Sequence, residues 1–566
     1  MQPLIEGDRG MGRFVSRLSS SSILPWCWIL FCGVLSVAIF LVVGRAPDVF
    51  DADGGSEAVL AKALIDSGRF VITPDFFYST EVQIIGHHLI LEIGIMLFPH
   101  NWMLARVFTL VVIMCALVAS FRFCAISLDV WGRSRWIAGT LLLPFSIIYR
   151  NYYLYGMFYI IRLCVFFVAF GLCIRYGKSR GSRITMTLLA AGLGLAFGVS
   201  SFRMLLLCFL PLLIVFAGMC IAEASGSTLQ ERIHHIPQSG MRSLVASGIM
   251  ALSSVIGVLI NIFIISKMVK YAYWGDTSLN QIVPSEVIDF AAGGFIQTWG
   301  SVGAEKAISS VGVASLCGIL TSLIVVMSTI VCIRRRSSLK TAQRSYVMFV
   351  LLTFLLSLAM YYLGHQWRPR YLASAAIPFV LLVPIAIGLI RRDRLLRALV
   401  LGGFMCLLLA QAIGYGLLPA IAHVRSGEPY DEEKVVAWLR NEGIPSGYAT
   451  FWNCNNMVEI SDGTLDIWCL IDSSLPEGGD WWSLEPFEWM AEKRHSEEDP
   501  RGEVFLLLTE GECDQAKSLG IDLGQPKNTI GNYRIFVYDS QCELYDAMGV
   551  PWSASRATAA PSGAGS

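Results

Sequence analysis

Runs of about 20 apolar residues recur along this chain, each long enough to cross a hydrocarbon layer of about 30 Å as a helix. They begin at Ile23 and end near Ala422. A backbone inside lipid must satisfy its own hydrogen bonds, so each run can only be helical. Of the 566 residues, 55% are hydrophobic and 15% charged, which excludes a soluble globular protein of this size. The zero net charge gives no hint of nucleic acid. The fold class expected is a polytopic α-helical membrane protein with eleven spans, at about 23–43, 103–121, 136–149, 154–174, 184–200, 203–222, 244–266, 309–333, 345–363, 371–390 and 398–420.

Charge sets the orientation. Arg9, Arg13 and Arg17 precede the first span, which is too long for a signal-peptide core and reads as an uncleaved anchor with a cytoplasmic N-terminus. With that start, every second loop should be basic. Those loops carry Arg122, Arg133 and Arg135; Arg175, Lys178, Arg180 and Arg183; Arg232 and Arg242; Arg334, Arg335, Arg336, Lys340 and Arg344; Arg391, Arg392, Arg394 and Arg397. Counting Val82–Phe98 as a span would invert this pattern. It is short and contains His87, His88 and Glu92, so an interfacial helix on the outer face is expected. The stretch 54–68 reads as a second short amphipathic helix, ended by Gly68.

The organisation that follows is a cytoplasmic N-terminus at 1–22, a membrane domain at 23–426 with an acidic outer loop at 44–102, an extracytoplasmic α/β domain at 427–550 and a disordered tail at 551–566. In the outer domain 431–441 is helical in pattern. Strands are expected at 448–451, 465–470, 504–509 and 534–538, with a helix near 513–519. Four cysteines fall there (Cys454, Cys469, Cys513, Cys542), a number that permits two disulfides in an oxidising compartment. Trp452, Trp468, Trp481 and Trp482 could bind glycan, although tryptophans in a small domain more often form core. The turn at 448–463, with Asn453, Asn455, Glu459 and Asp462, reads as structural.

Just beyond the first span lies a knot of acidic residues, Asp48, Asp51, Asp53 and Glu57. Part of it has a local explanation, since Asp53 or Ser56 could cap the helix that follows. Outward-facing positions also carry arginines that orientation does not require: Arg106 opening the second span, Arg150 ending the third, Arg203 opening the sixth, and Arg368 and Arg370 before the tenth. Arg162 is expected about two turns inside the fourth span. An arginine there costs about 2.5–3.5 kcal/mol on insertion scales, so it should face a polar cavity. Guanidinium groups hold phosphate bidentately. Together these residues suit an enzyme that binds a lipid phosphate while a carboxylate handles an acceptor proton. His87 and His88 read as polar spots on the interfacial helix rather than metal ligands.

The stretch 53–76 resembles the first outer loop of C-type-fold glycosyltransferases, among them protein O-mannosyltransferases and the aminoarabinose transferases acting on lipid A. The shared marks are an acidic residue opening a helix, a Ser-Gly and Thr-Pro stretch, a second acidic residue (Glu81), and an Ala-Arg pair, here Ala105-Arg106. The resemblance covers mainly 45–150, with weaker support from Trp367-Arg-Pro-Arg-Tyr371. It departs where the family pairs two acidic residues, since Gly54 follows Asp53; Asp51 and Asp53 together could supply the pair.

That resemblance implies an inverting transfer of a sugar from a polyprenyl-phosphate donor to a glycan, lipid or protein acceptor on the outer face. The short cytoplasmic loops point to a bacterial plasma membrane. The resemblance makes Asp53 or Asp51 the base. Arg106, Arg150, Arg162, Arg203, Arg368 and Arg370 are candidates for the donor phosphate, and Glu57, Glu81 and His87 for the acceptor side or for supporting the base. A divalent cation shared by Asp53 and Glu81 is a further possibility. The alternative class is a transporter or receptor with an outer sensing domain. Transporters, however, place ionisable groups at the midplane of repeated halves, whereas here these groups gather at one interface.

Overall fold

A computed structural model describes residues 23–50, 52–79, 82–178, 183–223, 237–270, 282–303, 308–364, 366–390, 393–470, 488–496 and 498–549. Asp51, Glu81, Trp481, Trp482, Arg9, Arg13, Arg17, Arg180, Arg232, Arg391, Arg392 and the tail from 551 lie outside the described residues.

Among the described residues, ten helices are long and apolar enough to cross a membrane: Ile23–Val43, Trp102–Ser127, Ile160–Lys178, Arg183–Ser200, Phe202–Ala222, Gln238–Lys267, Ser310–Arg334, Thr341–Leu363, Pro369–Gly388 and Arg394–Ser426. Their ends carry local stop and start chemistry. Asn101 caps one helix by accepting from Leu104 N at 3.0 Å, and Asp393 caps another by accepting from Leu396 N at 2.9 Å. Leu30, Phe31 and Val34 of the first span, and Leu316, Leu323 and Met327 of Ser310–Arg334, point outward, as lipid-facing residues should. Small residues let two spans touch backbone to backbone. A Cβ at Gly198 would lie 2.2 Å from Ser254 O, and one at Gly194 would lie 2.3 Å from Met250 O, the close small-residue packing that membrane helices use.

The third expected span needs correction. Its helix, Trp131–Thr140, has 10 residues and is followed by an irregular turn and a π-helical segment, Tyr149–Leu154. The segment nevertheless runs alongside the first span over part of its length. Trp28 Nε1 donates to Trp136 O at 3.0 Å near the start, and Tyr155 OH donates to Ser36 O at 3.2 Å near the finish. Pro144, which has no N–H to donate, sits in the break. As a result the next span begins at Ile160, and Arg162 stands in its first turn rather than two turns inside. Helix Pro284–Thr298 has no counterpart among the expected elements.

Two short helices lie in the first outer loop, Ala52–Asp66 and His88–Leu97. The first was expected to be amphipathic. It is instead buried on nearly every face, including Gly54, Gly55, Ser56 and Glu57, and Gly68 ends it at φ +63°. Helix His88–Leu97 and the start of the second span cover one side of it, and the C-terminal domain covers another. That domain is a five-stranded sheet in the order 466–470, 446–450, 504–509, 533–538, 528–530, its first three strands parallel and the rest antiparallel. Helix Phe451–Ile460 follows the second of these in space and lies against Ala52–Asp66. A Cβ at Gly55 would fall 2.6 Å from the Asn455 carbonyl carbon, so the missing side chain at Gly55 lets the two helices meet. Asn455 Nδ2 donates to Ser56 Oγ at 2.7 Å and to Met490 O at 2.9 Å.

Two further joints fasten this domain to the loop. Phe76–Phe77 pairs antiparallel with Ala491–Glu492, and Lys62 Nζ reaches Glu492 at 3.3 Å. Behind them Arg494 grips Asp466 through both terminal nitrogens at 2.5 and 2.6 Å, and with His495 it holds the Asp466 carboxyl far below the usual carboxylate range against the push of burial. All fifteen cysteines are free thiols. The thiol of Cys454 donates to Ile467 O at 3.1 Å.

Candidate active site

A cavity of about 250 Å³ opens where the outer-loop helix, the ends of three spans and the C-terminal domain meet. Its lining includes Asp53, Arg162, Arg203 and Arg370, with Ser79, Gln83, Phe158, Tyr159, Gln366, Tyr371, Trp489 and Met490. Each charged group is set by a local device. Asp53 stands in the first turn of Ala52–Asp66, where a carboxylate suits the helix dipole. Arg162 stands in the first turn of its span, over the Tyr159 ring at 5.1 Å. Arg203 follows Ser201, whose side chain accepts from Arg203 N at 3.2 Å. Pro369 fixes the start of its helix, so Arg370 falls in the first turn. There it lies 4.8 Å from the Tyr152 ring and 5.3 Å from the Tyr371 ring.

Asp53 Oδ2 and Arg370 Nη1 are 3.6 Å apart, both side chains about a quarter exposed or less. Among the described residues the cavity therefore carries three guanidiniums and one carboxylate, and both charge types remain reachable from solvent. An anion with two or three oxygens among the guanidiniums, beside a hydroxyl that faces Asp53, matches this lining.

Other expected site residues are held elsewhere. Arg106 is buried against Glu459 of the C-terminal domain: Nη2 donates to Oε2 at 3.1 Å, Nε also contacts Oε1, and the guanidinium covers the Phe50 ring at 4.4 Å. Burial pushes the Glu459 carboxyl up to about 7 against the pull of Arg106. Arg150 pairs with Asp48 and donates to Tyr415 O at 2.8 Å. Arg368 is exposed and absent from the lining. Asp51 and Glu81 are not among the described residues.

A cation at Asp53 does not fit the described residues, since the charged groups sharing its cavity are three guanidiniums. Among the described residues no group of three or more His, Cys, Asp or Glu is arranged to hold a metal ion.

Glu57 and His87 lie just behind the cavity. His88 Nδ1 is 2.9 Å from Glu57 Oε2, and His87 Nδ1 is 3.9 Å from the same oxygen. Burial pushes the His87 imidazole down to about 4. Burial also pushes Glu57 up, but the two imidazoles outweigh it and hold this carboxyl below its ordinary range. The His87 ring meets Phe158, a cavity residue, edge to face at 5.4 Å.

The C-terminal residues of the lining were not foreseen. Trp489 packs on Phe451 at 4.8 Å. Met490 adopts φ +50°, a strained backbone for a side-chain-bearing residue, while its carbonyl meets Asn455. Of the tryptophans that were singled out, Trp468 is buried and donates to His495 O and Glu498 O at 3.1 Å, whereas Trp452 is exposed.

No family model and no curated protein matches this sequence. Solved structures do. ArnT from Cupriavidus metallidurans bound to undecaprenyl phosphate aligns with a TM-score of 0.53 at 11% identity, covering 90% of this chain and 98% of that one. The same protein in the apo state gives 0.49 at 13% identity, covering 91% and 98%. At such identity the first match shows the fold alone: this chain shares the fold of that ArnT, a multi-pass helical bundle with a small α/β domain at its C-terminal end.

Proposed function

We propose that this chain transfers a sugar from a polyprenyl-phosphate donor to an acceptor at the outer face of the membrane. The observation that carries the reading is the single cavity that holds Asp53 together with Arg162, Arg203 and Arg370. The fold match to a protein solved with undecaprenyl phosphate supports the lipid carrier. A volume of about 250 Å³ is below the ~300–1,000 Å³ of pockets that enclose a whole drug-sized ligand. It suits a phosphosugar headgroup whose lipid tail stays in the bilayer.

In this reading Asp53 takes the proton from an acceptor hydroxyl. The oxygen attacks the anomeric carbon from the face opposite the phosphate and inverts it, and the carbon–phosphate oxygen bond breaks with its electron pair going to the lipid phosphate. The three guanidiniums take up the charge that develops there, the kind of fixed complementarity worth about 10²–10³ in rate per donor. The basic loops support a cytoplasmic N-terminus with the cavity and C-terminal domain outside.

The test uses membranes carrying the full chain and a set of radiolabelled short-chain polyprenyl-phosphate hexoses and pentoses. Asp53→Asn should lose about 10²–10⁴-fold in transfer, the usual worth of a general base, with the protein still inserted. Arg162→Ala should weaken donor binding. Wild-type transfer by Asp53→Asn removes the proposed base.

A further inference from the structure

Behind the cavity, two helices each present a pair of titratable groups one turn apart, and the pairs touch. On Ala52–Asp66 the pair is Asp53 and Glu57. On His88–Leu97 it is His88 and Glu92. Residues four apart on a helix share a face, with Cβ atoms about 5–6 Å from each other. The 2.9 Å contact between Glu57 Oε2 and His88 Nδ1 joins the two.

His88, Glu57 and Glu92 are 0, 6 and 2% exposed. Two of their polar atoms, His88 Nε2 and Glu92 Oε2, have no hydrogen-bond partner among the described residues. A buried polar atom left unmade costs about 1–3 kcal/mol, so two of them one turn apart on one short helix need a reason. The local sequence is shaped to seat the imidazole: a Cβ at Gly86 would fall 2.6 Å from His88 Nδ1 and 3.7 Å from Gln83 Oε1, and Gln83 lines the Asp53 cavity.

From this juxtaposition we propose that Asp53, Glu57, His88 and Glu92 form a proton relay that clears the acceptor's proton from the base and parks it on Glu92. The relay rests on the base role given to Asp53 above. In the transfer step Asp53 gains the acceptor proton. Asp53 then passes a proton to Glu57 Oε1, the proton shared across the Glu57 Oε2–His88 Nδ1 contact ends on Nδ1, and the Nε2 proton moves to the Glu92 carboxylate. Each relay member gains one proton and loses one, except Glu92, which keeps its proton until solvent removes it.

The setting favours a neutral Glu92 as the terminus, since burial pushes its carboxyl up to about 7, with His88 pulling the other way. Other charged or titratable groups face the cluster: Arg370, 3.6 Å from Asp53, with Arg162, Arg203 and Tyr159 in the same cavity, His87 beside Glu57, Tyr78 from the loop, and Arg106 from the second span.

The proposal is tested on the purified full-length chain in two ways. Infrared titration should show two buried carboxylic acids that ionise near pH 7, Glu92 and Glu459; Glu92→Gln should remove the Glu92 component and leave the other, and His88→Gln, where the opposing imidazole is gone and an amide still donates to Glu57, should shift the Glu92 component to higher pH. Release of polyprenyl phosphate, measured with the same radiolabelled donor set, should show a pH limb at that midpoint which Glu92→Gln abolishes, with at least a tenfold fall at pH 7. Imidazole added to His88→Ala should restore part of the lost rate. An infrared band unchanged in Glu92→Gln, or a Glu92→Gln profile superimposed on the wild type, overturns the relay. Asp53→Asn run alongside separates the two readings: inactive Asp53→Asn with an unaltered Glu92→Gln profile ends the relay alone, whereas active Asp53→Asn ends the base assignment and the relay with it.

Discussion

Replacing Arg106 by Met should destabilise the protein by an amount that grows with pH. In the structure Arg106 and Glu459 are both about 4% exposed, and their side chains bridge the second span to helix Phe451–Ile460 of the C-terminal domain. Removing one member of such a pair costs about 3–5 kcal/mol when the other stays charged. Glu459 has an escape, since its carboxyl already sits near 7 with Arg106 present. Without Arg106 it moves higher, and protonation relieves the buried charge at about 1.4 kcal/mol per pH unit.

The sign follows. A carboxyl raised in the folded state holds a proton that the unfolded chain has released, so stability falls as pH rises from its ordinary value of 4.5 through 7. In Arg106→Met the fall continues above 7. At pH 6 the variant should lose about 1–2 kcal/mol, for one hydrogen bond and the cover over Phe50. At pH 8 the loss should reach about 2.5–3.5 kcal/mol, because between 7 and 8 the variant's carboxyl stays protonated at about 1.4 kcal/mol while the wild type's is released. Thermal unfolding of the detergent-solubilised chain at pH 6, 7 and 8 measures this. Replacing both partners by Met should recover most of the loss at pH 8, because an apolar pair of similar volume strands no charge. Equal losses at pH 6 and 8, or a double variant no more stable than Arg106→Met, would refute the reasoning.

Two other expectations concern the same interface. Gly55→Ala should lower the melting temperature through about 1–3 kcal/mol of overpacking, because its Cβ meets the Asn455 backbone at 2.6 Å; an unshifted melting curve would mean that the two helices are not in contact. His87, held neutral by burial down to about 4, takes up no proton where the unfolded chain does. Stability should therefore fall as pH drops from 6.5 toward 4, by on the order of 3 kcal/mol, and His87→Leu should flatten that part of the profile.

The apolar periodicity made the spans legible, because a helix in lipid has few alternatives. It failed at the third expected span, where 136–149 is apolar enough and the helix nevertheless ends at Thr140. Helix Pro284–Thr298 escaped notice since its apolar positions are interrupted by Glu286, Asp289 and a Gly pair. At the cavity, Asp53, Arg162, Arg203 and Arg370 stood out as charges too costly to leave at a membrane boundary without a purpose, and the structure brings these four together. Arg106 stood out for the same reason and went to Glu459, a partner 353 residues away. Nothing in one sequence distinguishes a guanidinium meant for a ligand from one meant for a distant carboxylate. Trp489 and Met490 were invisible for the converse reason, as ordinary domain residues that acquire meaning only from what they close over.

The pairing of Phe76–Phe77 with Ala491–Glu492 also bears on how the protein is made. The ribosome delivers Asp53 early and its cover some four hundred residues later. Throughout insertion of the intervening spans the acidic loop waits with an open strand edge, and the wall that Trp489 and Met490 supply is missing. Completion of the cavity is thereby tied to completion of the chain, so a truncated or half-inserted product carries the charged groups of the site without the enclosure in which they could act.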